Sequence, residues 1–290
     1  MKQKNEPIKQ HYVPRVYLKN FSVNNQIYVL NKKRNKIFST GINNICAEND
    51  FYTLKDEDGF NSYDWEKKYA EGIEPIMGNL FPSIISRGNY PAQNFTRIIN
   101  EIEKQKLAII MSQQLLRCKQ ARIIMYDWYK NSISDLEKHW MFNTNFNFSK
   151  LLSEEIFKEI SVRSITGDQE ILLANLLYNR NYVFYKIYGN KEFITSDNPI
   201  MTYNYGTNNC TLFSNGLADK KTITFYPLSP TLLLCTYSHK YISHTFKNLD
   251  KCIIFLNSKM ENDFIENVNK KQIEQCNMFA IAKSNNIFYI

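Results

Sequence analysis

From residue 100 to residue 130 the chain runs without a glycine or a proline, and its apolar residues recur at helical spacing. Leu107, Ile110, Met111, Cys118, Ala121, Met125 and Trp128 share one face at about 100° per residue. The spacing predicts one long helix over 100–130. Beyond Tyr182 the period shortens to two. Residues 182–187 and 192–195 read as strands about a Gly189-Asn190 turn, 221–226 and 231–237 as strands separated by PLSP, and 252–256 as another. A helix over 261–275 and closing strands over 278–282 and 287–290 complete this half. On the N-terminal side, 26–30 and 36–39 form a hairpin about the basic loop NKKRN, and 51–54 a third short strand. Pro14 forbids a central strand and marks a turn or a helix start. Helices follow over 63–80, 151–160 and 168–177.

Runs of strands and runs of helices are segregated along the chain, which argues for an α+β fold rather than alternating βαβ units. The expected architecture is an N-terminal β-hairpin, a central helical bundle with one long helix, and a C-terminal, mostly antiparallel sheet. Neither half has enough elements for its own core, so 1–290 is expected to be a single domain. The polar stretch at 142–149 is the place for any subdivision.

With 43% apolar residues and only nine glycines and eight prolines in 290, disordered and low-complexity classes are excluded. No apolar run approaches the roughly 20 residues a membrane helix needs. Thirty-six Lys and Arg against 28 Asp and Glu give a net charge of +8, which favours nucleic acid or nucleotides as partners. The solvated surface of a lysine-rich composition gives the same excess. The cysteines at 46, 118, 210, 235, 252 and 276 form no CxxC pair and have no histidine at zinc-finger spacing. With a mostly polar stretch over residues 1–10 and no apolar h-region, the expected setting is a reducing cytoplasm, with Cys118 and Cys235 as core fillers.

Three stretches are candidates for chemistry. In His11-Tyr12-Val13-Pro14-Arg15, a histidine suited to acid–base work sits beside a guanidinium fork suited to phosphate. On the long helix, Gln114 lies within the apolar face, with Arg117 and Arg122 at its edges. Such groups need buried partners or a polar cleft. Ser196-Asp197-Asn198-Pro199 follows a predicted strand, where it makes a turn or supplies a catalytic carboxylate. Glu66, Glu71 and Glu74 on the 63–80 helix could pair with Arg117, or join Asp197 around magnesium or manganese. The absence of GxGxxG, P-loop, HExxH and GxSxG patterns leaves dinucleotide, NTPase, zincin and α/β-hydrolase readings unsupported.

The stretch Gln10, His11, Tyr12, Val13, Pro14, Tyr17, Leu18, Phe21 resembles the opening motif of the bacterial domain-of-unknown-function family 4238. So do DFYT at 50–53, Gln114, Arg117 and Arg122, FITSDNP at 193–199, and YPLSP at 226–230. Many members carry Thr-Pro after the first arginine of the QxxR pattern, where this chain has Cys118 and Lys119. The resemblance covers nearly the whole chain. It implies a stand-alone bacterial protein, and members beside mobile elements suggest phage-defence or toxin roles.

From these residues the expected function is a nuclease-like enzyme acting on phosphodiesters or phosphates. His11 would be general acid/base, and Asp197 a metal ligand with Glu71 or a second acid/base. Gln114 and Asn198 would orient substrate or water, with Ser196 beside them. Arg15, Arg117 and Arg122 would clamp phosphate, with the loop residues Lys32, Lys33 and Arg34 adding charge. The rival expectations are a non-catalytic nucleic-acid or nucleotide-binding module, and an interaction protein such as an antitoxin or sensor.

Overall fold

The computed structural model describes residues 8–89, 93–140, 153–163, 165, 167–207, 216–239, 248–256 and 259–288. The fold is α+β. The N-terminal hairpin is β2 (Gln26–Asn31) with β3 (Lys36–Gly41), paired in register from Gln26↔Gly41 to Asn31↔Lys36. Before it lie β1 (Lys9–His11) and the short helix α1 (Arg15–Leu18), which starts directly after Pro14. Proline fixes φ for that start and its missing N–H costs nothing there.

The expected strand at 51–54 falls instead on its flanks. β4 (Ala47–Asn49) pairs with β1, and β5 (Leu54–Lys55) pairs with β6 (Asn61–Ser62). The expected 63–80 helix is α2 (Asp64–Lys68), a π-helical turn at Tyr69–Ile73, and α3 (Glu74–Asn89). Gly78 lets α1 come close, since a β-carbon there would lie 3.1 Å from Val16.

The long helix is two helices. α4 (Glu101–Arg117) opens on a capping box, in which Asn100 Oδ1 accepts from the Glu103 N–H and Glu103 accepts from the Asn100 N–H. It ends at Cys118, whose ψ of 152° is extended. α5 (Lys119–Trp140) then starts afresh, with the Cys118 sulfur accepting from the Ala121 N–H in the place of an N-cap oxygen. Ala121, at the start of α5, is buried, whereas Trp128, two turns further along the same helix, is 72% exposed. α6 (Glu154–Arg163) and α7 (Asp168–Tyr178) follow. The 142–149 stretch lies outside the described residues.

The C-terminal half holds a five-stranded sheet in the order β12-β7-β11-β10-β9. Its strands are β7 (Arg180–Ile187), β9 (Met201–Asn204), β10 (Thr222–Ser229), β11 (Leu232–Ser238) and β12 (Cys252–Leu256). All its pairings are antiparallel except β12 with β7. The expected hairpin about Gly189-Asn190 does not form. β7 takes β11 and β12 as neighbours, while β8 (Thr195–Ser196) joins a second sheet of order β3-β2-β13-β8. Between them, the Phe193 N–H donates to the Pro230 carbonyl and the Ile194 N–H to Asn269 Oδ1, so these donors find partners outside any hairpin. α8 (Lys259–Gln275) precedes β13 (Phe279–Ala282), and Asn286–Phe288 is a 3-10 turn where a strand was expected.

One core runs through both halves. Tyr17 stacks on Tyr226 at 5.3 Å and meets Phe81 edge-on. Its hydroxyl donates to the Pro227 carbonyl at 2.7 Å and shares a hydrogen bond with Thr195 Oγ1. Leu18, Phe21, Leu107, Met111, Leu234 and Ile281 are buried in the same cluster, each burial contributing about 1.5–3 kcal/mol. Cys46, Cys118, Cys235, Cys252 and Cys276 are buried and unbridged. Among the described residues no helix is long and apolar enough to cross a membrane.

Candidate active site

Strand β1 delivers His11 to the surface of the core, and three side chains fix its backbone. Gln10 Nε2 donates to Thr53 Oγ1 at 2.8 Å, while its Oε1 accepts from the Tyr52 N–H, tying β1 to the DFYT segment. From α4, Gln114 Nε2 donates to the Tyr12 carbonyl at 3.1 Å and Arg117 Nη2 to the His11 carbonyl at 2.7 Å. The QxxR spacing is therefore one helical turn matched to two consecutive carbonyls of an extended strand. The next strand carbonyls cannot continue the ladder because Pro14 turns the chain.

Arg117 is 2% exposed. Its Nε donates to the Tyr52 hydroxyl at 3.2 Å, and its guanidinium lies 4.4 Å from the Tyr69 ring centroid. Glu74 Oε1 stands 3.7 Å from Nη2, so one of the three expected acidic partners is found. The π turn explains how. Glu66 and Glu74 are eight apart, which on an uninterrupted α-helix leaves them about 80° apart. One π turn absorbs about one residue and returns them to within about 20° of one face. Both carboxylates then border the same cleft.

That cleft has a volume of about 540 Å³, within the roughly 300–1,000 Å³ typical of small-molecule sites. One wall is Lys9 and His11 of β1 with Arg15 of α1. Asn43 and Asn44 come from a 3-10 turn, and Glu66, Lys67, Glu71 and Glu74 from the α2–π–α3 segment. Arg15 Nη1 donates to Asn43 Oδ1 at 3.3 Å and is otherwise exposed.

The titrating groups of the cleft are displaced in opposite directions. Burial pushes the Glu66 carboxyl up to about 7, against the pull of Arg117 and with Glu74 adding to the rise. Burial, followed by the charges of Arg15, Lys9 and Arg117, pushes the His11 imidazole down to about 4, with a hydrogen bond to the Asn43 backbone acting the other way. Near neutrality His11 is uncharged and Glu66 is close to half protonated. His11 Nε2, Glu66 Oε2, Arg117 Nη1, Tyr69 OH and Gln114 Oε1 are all buried without a hydrogen-bond partner. Interiors seldom leave polar atoms in that condition.

The remaining expected site residues lie elsewhere. Ser196, Asp197 and Asn198 are buried against α8 and β13. Asp197 Oδ1 accepts from the Asn277 N–H, and Oδ2 from those of Met278 and Phe279, at 2.7–3.0 Å. Burial raises its carboxyl to about 6 against those three N–H groups, so near neutral pH it is an acceptor-only carboxylate facing three donors. Ser196 Oγ and the Asn198 carbonyl both accept from Gln272 Nε2, and Asn198 Nδ2 donates to the Gln275 carbonyl. Asp197, with its oxygens taken up, is a latch between β8 and the turn into β13, not an acid–base group or a cation ligand with Glu71, which borders the His11 cleft. Among the described residues no group of three His, Cys, Asp or Glu side chains is placed to hold a metal ion.

Arg122 is also structural. Its Nη2 donates to the Phe51 carbonyl at 2.9 Å and its guanidinium stacks on the Phe51 ring. In the basic loop, Lys32 Nζ donates to the Glu274 carbonyl at 2.6 Å at the C-terminal end of α8, a favourable place for a cation. Lys33 and Arg34 are exposed on that loop and do not border the cleft. Asp197→Asn should therefore turn an amide N–H₂ toward a backbone N–H and cost about 1–3 kcal/mol of stability. Urea unfolding of this variant should show a lower midpoint at unchanged slope. A midpoint equal to that of the unsubstituted chain would remove the latch role.

Glu66 is the site residue whose importance the sequence concealed, because its facing direction depends on the π turn. Tyr52 and Tyr69, which both pack against Arg117, read in sequence as ordinary core aromatics.

No curated protein and no solved structure matches the chain. A family model described as protein of unknown function (DUF4238) matches residues 9–286. That span takes in the His11 strand, the QxxR helix and the Asp197 latch alike, and the chain belongs to the DUF4238 family.

Proposed function

We propose that this protein is a phosphoester hydrolase, nuclease-like in its chemistry, working in the cleft between β1 and the α2–π–α3 segment. The observation that carries the reading is the oppositely displaced pair, a neutral His11 with Nε2 unpartnered and a Glu66 that still holds a proton near neutrality. Pairs of groups pushed apart by their surroundings supply an acid and a base at one pH.

In this reading His11 Nε2 takes a proton from water as its oxygen attacks phosphorus. The new P–O bond forms as the ester P–O bond breaks, and Glu66 gives its proton to the departing oxygen. Arg15 neutralises the phosphate at the mouth of the cleft, while the buried charge of Arg117 favours the extra negative charge of the transition state. Tyr12 and Gln114 act on position only, through the β1 backbone. A cytoplasmic setting fits the five buried, unbridged cysteines.

The test is hydrolysis of bis(p-nitrophenyl) phosphate across pH. Base activity needs His11 neutral, hence pH above about 4, and acid activity needs Glu66 protonated, hence pH below about 7. The expected profile of kcat/KM is a bell with those two limbs. A rate that keeps rising well above pH 7 would reject Glu66 as the acid. Binding of the diester without turnover would favour the non-catalytic binding module.

A further inference from the structure

We infer that the cleft takes a nucleotide-sized ester bearing a single phosphate, and not a nucleic-acid duplex. This rests on the hydrolase reading for the reaction, but not for the binding. The cleft carries little net charge. Lys9, Arg15 and Lys67 are opposed by Glu71, Glu74 and a Glu66 that is close to half protonated near neutral pH, and His11 adds no charge there. A polyanion presents one negative charge for about every 1.7 Å of duplex, and its binding surfaces are correspondingly basic. The Glu71 and Glu74 carboxylates of the lining would oppose it.

The protein's net charge of +8 is not concentrated here. The basic hairpin loop, where the sequence places its densest run of cations, does not border the cleft, and Lys32 is engaged with the end of α8. The polar lining suits one phosphate with hydroxyl or heterocyclic groups around it. Arg15 lies at the mouth. The buried Arg117 guanidinium, 3.7 Å from the lining residue Glu74, has Nη1 unpartnered. The Asn43 and Asn44 amides and the Glu71 carboxylate offer donors and acceptors for an uncharged sugar or base. A volume of about 540 Å³ has room for one nucleotide unit.

Calorimetric titration of the full chain with the p-nitrophenyl ester of thymidine monophosphate, and separately with a short DNA duplex, tests this at several salt concentrations. The small ester should bind with a log–log salt slope no steeper than about −1, as one phosphate contact requires. The duplex should bind more weakly. Glu71→Lys, at an exposed position, should strengthen duplex binding by about two- to fivefold and steepen its slope. Tighter binding of the duplex, or a slope equivalent to four or more phosphates, would overturn the inference. Small-ester binding at the shallow slope without hydrolysis would leave it standing and remove the hydrolase reading. Hydrolysis of the duplex alone would do the reverse, and binding of neither probe would remove the inference.

Discussion

Arg117→Ala is expected to lower the stability of the fold by about 3–5 kcal/mol, the cost of removing one partner from a buried, hydrogen-bonded charge. The guanidinium is 2% exposed and connects four elements. It donates to the His11 carbonyl on β1 and to the Tyr52 hydroxyl after β4, faces Glu74 on α3, and lies against Tyr69 in the π turn. Truncation leaves a buried carbonyl and a buried hydroxyl without their donor, each costing about 1–3 kcal/mol, and a void the size of the side chain. At roughly 2–4 °C per kcal/mol for a chain of this order of size, Tm should fall by roughly 6–20 °C. Arg117→Lys keeps the charge but loses the fork, and should fall between the two. A scan placing Arg117→Ala within about 2 °C of the unsubstituted protein would show that the guanidinium is not what holds β1 to α4.

His11→Ala and Glu66→Gln should each reduce hydrolysis by about 10²- to 10⁴-fold, the usual contribution of a general acid or base, while leaving the protein folded. Their stability effects have opposite pH dependence, which distinguishes the two groups from each other. The folded pKa of Glu66 is raised, from about 4.5 to about 7. Its contribution to stability is full below 4.5 and is lost as pH rises through about 7. Glu66→Gln should therefore gain in Tm relative to the unsubstituted chain between about pH 5 and about pH 8. The folded pKa of His11 is lowered, from 6.5 to about 4. Its contribution is full above 6.5 and is lost as pH falls through about 4, so His11→Ala should gain relative Tm on the acid side. Both Tm differences flat with pH, together with unchanged turnover, would remove the acid–base pair.

The Cys118 break shows how a local signal can be present and still be hidden. In the motif that the sequence resembles, many members have Thr-Pro here, an N-cap residue followed by a residue suited to the first helical position, which together announce a new helix. In this chain Cys118 and Lys119 occupy those places, and the sulfur performs the cap. Lysine at the first position removes the proline signal, so a pattern lacking glycine and proline read as continuous.

Periodicity and turn chemistry determined the α+β class, the β2–β3 hairpin, the turn or helix start at Pro14 and α7, because each depends on hydrophobic spacing or on residues a few positions apart. The motif residues were legible for the same reason: Gln114 and Arg117, one turn apart on an apolar face, needed buried partners or a polar cleft. What they serve, two adjacent carbonyls of a strand over a hundred residues away, only the tertiary structure decided. It also decided that Asp197 turns its carboxylate to backbone N–H groups after α8 rather than to His11. And it decided that an inserted π turn brings Glu66 round to the cleft. Long-range pairing and a one-residue shift in helical phase leave no mark on local spacing, because their energies come from burial and from partners distant in the chain.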